Sequence, residues 1–228
     1  MTQPTLAVST VIFALREDAN GVKRLMLPLV QRIREPHLGC WALPGGPLKS
    51  GTHIDDAAAQ TLKETTGLEP RYLEQLYAFG DPSRSPEQHV VSIVYWALVA
   101  PDETANEFEY QNVRWFCADE VPELAFDHNL IVEYALWRLR NKLSYSRVAR
   151  GFLGERFTLA QLREVYEIVL QRELDPGNFR RSIEATGEII PTGERLVGGS
   201  HRPPQLYTYD ENLELADNGP LTREMSSK

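Results

Sequence analysis

Arginines and their polar neighbours carry most of the chemistry legible in this chain. Arg180 and Arg181 stand beside Asn178 and Ser182, with Phe179 and Ile183 one helical turn apart. A helix that buries Phe179 and Ile183 turns Asn178, Arg181 and Ser182 outward, with Arg180 next to them. Such side chains reach base edges or phosphates in a DNA major groove. The competing reading is a solvated helix face on which Arg180 pairs with Glu184. Further on, Arg195, His201 and Arg202 crowd a loop loosened by Gly198-Gly199 and stiffened by Pro203-Pro204. Such a loop suits phosphate or minor-groove contact, or is simply polar and solvated. Segment 176–209 sets Arg180, Arg181, Arg195 and Arg202 against Glu184, Glu188 and Glu194. DNA binding there must come from clustering, not from the segment's net charge. Near the N-terminus, Arg32 and Arg34 alternate at a strand end, where a guanidinium fork suits pyrophosphate oxygens. Glu35 is an equally available ion-pair partner for them.

The elements that position these residues are marked locally. Residues 6–15 and 24–31 read as paired strands joined through Asn20-Gly21. Trp41-Ala42-Leu43 enters a Pro44-Gly45-Gly46 turn, and Ile54, Ala57, Ala58 and Leu62 predict a helix to Thr66, with Thr52 as cap and Gly67 as stop. Strands are expected near 72–79, 90–99 and 113–117, and a helix over about 129–143. Thr158 and Gln161 form a capping box for the next helix, with Leu159, Leu162, Tyr166, Val169 and Leu170 as its buried stripe. Asp175-Pro176 starts a shorter helix that Gly187 ends. Short strands at 188–190 and 205–209 then flank the Gly/Pro/Arg loop. Helix, turn, helix and hairpin is the order of a winged helix-turn-helix. The expected division is 1–143, 144–210 and a polar, disordered tail over 211–228.

Composition sets outer bounds. The 228 residues carry a net charge of -8 with 42% hydrophobic and 25% charged residues, ordinary for a soluble protein and unlike a polycation that coats nucleic acid. Val90–Ala100, the longest apolar run, is too short to span a bilayer. The first residues lack the basic and small-residue signals of a secretion peptide. The two cysteines, Cys40 and Cys117, lack metal-type neighbours and are expected to be reduced. A cytoplasmic protein without membrane contact is expected.

The stretch Trp41–Leu68 resembles the Nudix signature, G-x5-E-x7-R-E-U-x-E-E-x-G-U with U apolar. Gly46 and Gly67 hold its opening and closing glycines, and Leu62 and Leu68 its apolar positions. Thr52, Gln60, Thr61 and Thr65 replace the first glutamate, the arginine, the next glutamate and the last one, leaving Glu64. Acids at 61, 64 and 65 would share one helix face and hold Mg2+, which needs hard oxygen ligands and carboxylate charge. One acid does not suffice. Asp55 and Asp56 lie on the first turn, where acids favour the helix dipole. Phe79-Gly80-Asp81-Pro82-Ser83-Arg84 resembles a segment of Nudix members that act on ADP-ribose, and Phe126-Asp127-His128 their closing motif.

A Nudix core of this kind followed by a winged helix resembles the NrtR-like Nudix-related transcriptional regulators, over roughly residues 5–210. The C-terminal likeness rests on Asn178–Arg181 and Gly198–Tyr207. The resemblance implies an α/β/α sandwich with a mixed sheet, then the winged helix-turn-helix. It implies a homodimer on a palindromic operator, control of NAD synthesis or salvage genes, and ADP-ribose or a related nucleotide as effector. No cofactor, metal or catalytic residue is expected. Arg32, Arg34, Phe79, Arg84 and Glu64 are the expected ligand contacts; Asn178, Arg180, Arg181, Ser182, Arg195, His201 and Arg202 are the expected DNA contacts. Two alternatives stay open: an ADP-ribose pyrophosphatase with residual Mg-dependent activity, and a protein-interaction module that binds no DNA.

Overall fold

The computed structural model describes residues 3–67, 69–99, 112–144, 147–196 and 203–210. The chain forms two compact units that divide at 138/139.

The first unit is built on a mixed seven-stranded sheet. Its strands are β1 (Thr5–Glu17), β2 (Lys23–Gln31), β3 (Trp41–Ala42), β4 (Gly45–Pro47), β5 (Tyr72–Phe79), β6 (Val90–Val99) and β7 (Val113–Cys117). The order is β3-β2-β1-β6-β5, with β4 also paired to β1 and β7 to β2. β1 and β6 run parallel over Thr5–Ala14, while the other pairs are antiparallel. These two central strands carry the longest apolar runs because they are covered on both faces; Val8 to Leu15 is buried without interruption. The helix α1 (Ile54–Thr66) lays Ala58 and Leu62 on them, against Val8, Ile12, Ala14, Tyr95, Ala97 and Val99. A second helix, α2 (His128–Lys142), buries Ile131, Val132 and Ala135, and the division between units falls inside it.

Two glycines are dictated by geometry. A side chain on Gly45 would lie 2.6 Å from the Val8 carbonyl oxygen, so β4 can approach β1 only with glycine there. Gly67 ends α1 in the left-handed region at φ 71°, with its N–H donating to the Lys63 carbonyl. The start of α1 differs from expectation. His53, not Thr52, is the cap residue, and no side chain caps it, because Thr52 closes the preceding turn by donating its N–H to Lys49.

In the second unit, α3 (Leu159–Leu170) opens on the Thr158/Gln161 capping box and α4 (Pro176–Thr186) on Asp175, whose carboxylate accepts from Asn178 N–H. The α3 stripe is centred on Leu162, Val165 and Val169, so Val165 joins the expected set. Arg163 donates to the Leu174 carbonyl at 3.1 Å and Glu167 accepts from Leu174 N–H at 2.8 Å, fixing the turn before α4. The strands β8 (Ile189–Arg195) and β9 (Gln205–Tyr209) pair antiparallel, and Phe157 adds an antiparallel bridge to Tyr207. β8 is longer than expected from its Pro191 and Gly193. Both breakers are tolerated because β8 borders a two-stranded ribbon and Gly193 sits at an irregularity with φ 80°. Among the described residues no helix is long and apolar enough to cross a membrane.

Candidate functional site

A cavity of about 530 Å³ opens in the first unit between the β4 turn, the outer face of α1 and the end of β2. Its wall includes Arg32, Arg34 and Glu64 from the sequence-predicted set, together with Thr52, Gln60, Thr61 and Thr65. The apolar side of α1 grips the sheet, so these polar positions are turned into the cavity. Glu64 accepts a hydrogen bond from Gln60 Nε2 at 2.6 Å. Of the two acids on the first turn of α1, Asp55 accepts a hydrogen bond from the Tyr95 hydroxyl. Burial and Asp55 together push that phenol above its ordinary range. Among the described residues no three His, Cys, Asp or Glu side chains gather into a metal-holding group.

Arg32 is pre-positioned. Its Nε donates to the Pro36 carbonyl at 2.8 Å, and its guanidinium lies 4.7 Å from the centre of the Phe126 ring. Phe126 begins a three-residue clamp at the start of α2. Asp127 takes Arg84 in a fork, Nε to Oδ2 at 2.9 Å and Nη2 to Oδ1 at 2.6 Å. His128 Nδ1 accepts the Leu43 N–H at 3.0 Å. That bond requires a neutral imidazole, and burial lowers the His128 pKa to about 4. The structure therefore gives Arg84 an internal carboxylate partner. Phe79 packs edge-on against Tyr77 at 5.5 Å and Tyr134 at 6.2 Å. Neither Phe79 nor Arg84 lines the cavity. Lys49 does line it and was missed by sequence reasoning, since only the fold of the loop before α1 brings it there.

In the second unit, Asn178, Arg181 and Ser182 are exposed together on α4, and Arg181 donates to the Asn178 side-chain oxygen. Phe179 turns inward against Tyr166 at 5.3 Å, and Ile183 is buried. Arg180 bonds Glu184 at 3.0 Å, and Glu184 also accepts from the Tyr207 hydroxyl at 3.3 Å. Arg195 donates to the Pro203 carbonyl at the base of the hairpin loop. His201 and Arg202 lie outside the described residues.

Comparison with known proteins accounts for both units. Residues 5–135 match the NUDIX domain, and residues 150–209 match the NrtR DNA-binding winged helix domain. The ADPR responsive transcriptional repressor NtrR of Acinetobacter baylyi is 30% identical over 211 residues, 90% of this chain and 82% of that protein. The chain belongs to the NrtR family. The crystal structure of Shewanella oneidensis NrtR is similar to this family member with a TM-score of 0.78 and 33% identity, covering 90% of this chain and 94% of that one. The same Shewanella protein complexed with a 27mer DNA gives a TM-score of 0.75 at 32% identity, over 90% and 93% of the two chains. Its NUDIX domain complexed with ADP ribose gives 0.51 at 30% identity, over 61% of this NrtR-family chain and 90% of that one.

Proposed function

We propose that this chain is a transcriptional repressor whose first unit binds ADP-ribose, or a closely related nucleotide, without hydrolysing it. Binding shifts the affinity of the winged helix for its operator. The observation that carries this reading is the cavity wall: arginines suited to a diphosphate remain, while the α1 face keeps one carboxylate, already bonded to Gln60. Residues 1–143 act as sensor and 144–210 as DNA reader. A homodimer places two α4 helices on a palindromic site, with NAD synthesis or salvage genes as targets.

The test has two arms on the full chain. Calorimetry with ADP-ribose on the free protein and on its operator complex should give different affinities, since a ligand moves an equilibrium only by its differential affinity. Incubation with ADP-ribose and Mg2+ should release AMP at far below the ordinary enzyme range of about 1 to 1000 per second. Equal affinities remove the nucleotide from regulation. Turnover in the enzyme range makes the protein a hydrolase.

Arg180 is held by Glu184, whereas Arg181, among the described residues, bonds the neutral Asn178 on the same exposed face. Arg181→Ala is expected to cost about 1–3 kcal/mol of operator binding and to relax preference at one base position. Arg180→Ala and Arg202→Ala should instead weaken operator and scrambled DNA alike, with a shallower salt dependence. Titrations on both DNAs at several salt concentrations separate these outcomes. Wild-type binding by Arg181→Ala moves base reading off this face.

A further inference from the structure

The Nudix fold implies a divalent cation on the α1 face, and the residues there do not fit one. Thr61 and Thr65 are neutral, Glu64 is bonded to Gln60, and Asp55 is bonded to Tyr95. Mg2+ sheds its water reluctantly and is normally held by carboxylates. The cavity offers something else. Its ionisable lining residues are Arg32, Arg34, Lys49 and Glu64, three cations against one carboxylate. The excess is two positive charges, which is the charge that a magnesium ion would bring. The side chains of Arg34 and Lys49 are exposed and make no hydrogen bond or ion pair with another described residue, so their donors point to no internal acceptor. Arg32 is oriented by Pro36 and Phe126, leaving the two terminal nitrogens of its fork to a ligand.

We propose that Lys49, with Arg34, takes the place of the metal: the cavity recognises the diphosphate of a nucleotide directly, without any divalent cation. This rests on the reading of the cavity as the nucleotide site. A diphosphate diester carries one negative charge on each phosphate, and three cationic side chains against one carboxylate match it. Arginine supplies the fork geometry, and the lysine ammonium a point charge with three donors. Magnesium in solution would neutralise the ligand and compete with the side chains, so added metal brings no gain. Losing the cation and keeping the pocket also separates binding from hydrolysis, because nothing remains to activate a water.

The experiment is calorimetric titration of the full chain with ADP-ribose, in EDTA and in millimolar Mg2+, for wild type, Lys49→Gln and Lys49→Arg. Wild type is expected to bind equally well, or better, in EDTA. Lys49→Gln should lose about tenfold or more, the ordinary loss for a charge-assisted hydrogen bond, and Lys49→Arg should recover most of it. Lys49 is exposed, so unfolding curves of the variants should overlay wild type and exclude misfolding. Binding that disappears in EDTA, or unchanged affinity in Lys49→Gln, overturns the proposal while leaving the nucleotide reading intact. No binding of ADP-ribose in either buffer overturns that reading instead.

Discussion

Asp127→Ala is expected to destabilise the protein by about 3–5 kcal/mol, the cost of stranding a buried charge. The Arg84 side chain is only 5% exposed and that of Asp127 20%, so the guanidinium cannot recover its hydration when the carboxylate goes. The fork geometry adds to the loss, because two charge-assisted hydrogen bonds disappear together. Arg84 closes a short helical turn, Pro82–Arg84, whose start is capped by Asp81 accepting from Ser83 N–H. The pair therefore ties the β5–β6 connection to the residue before α2. Removing both charges, as in Arg84→Met with Asp127→Leu, should return most of the stability, since an apolar pair of similar volume often replaces a buried ion pair at little cost. Urea unfolding of the two single variants and the double variant gives the coupling energy. A loss below about 1 kcal/mol in Asp127→Ala would place the pair with exposed ion pairs, which contribute little.

What sequence alone revealed depended on how local the signal was. The Thr158/Gln161 box, the Asp175-Pro176 start and the Gly67 and Gly187 stops were legible, because a cap is decided within one turn of chain. The outward face of Asn178, Arg181 and Ser182 followed from the spacing of Phe179 and Ile183 alone. The family was legible in the glycine frame around α1, Gly46 and Gly67, even with Thr52, Thr61 and Thr65 at positions read as acidic in the signature. Contacts across the fold were not. Arg84 was expected as a ligand contact and Asp127 stood in a separate motif; that the two form a fork across 43 residues is set by the fold, not by the neighbours of either. Lys49 carries no motif; it matters because the β4 turn carries it to the cavity wall. The bond of His128 to Leu43, 85 residues away, is hidden in the same way, although the residue itself stood in a motif.

Acidification should weaken the native state through that histidine. Buried His128 is neutral in the fold and accepts the Leu43 N–H through Nδ1, so its proton must sit on Nε2. Burial lowers its pKa to about 4 from an ordinary 6.5; Asp127 opposes the shift, while Arg84, Arg32 and His37 reinforce it. That difference corresponds to about 3 kcal/mol between protonation states. The unfolded chain takes up the proton as pH falls through about 6.5, whereas the native chain resists until about 4. Between these values the unfolded state binds more protons, so the stabilisation is complete above pH 6.5 and is lost progressively toward pH 4. The asparagine variant, His128→Asn, can still offer an acceptor to Leu43 but cannot titrate. Urea unfolding of wild type should show stability falling by about 3 kcal/mol more than in His128→Asn across this window. Identical pH slopes in the two proteins would assign the acid sensitivity elsewhere. Leu43 also lines the cavity, so losing its acceptor loosens the link between β3 and β4 in the cavity wall. The folded protein keeps this bond until His128 itself takes up a proton, so wild-type affinity for ADP-ribose should hold down to about pH 4 and fall only below it, whereas His128→Asn should not show that fall.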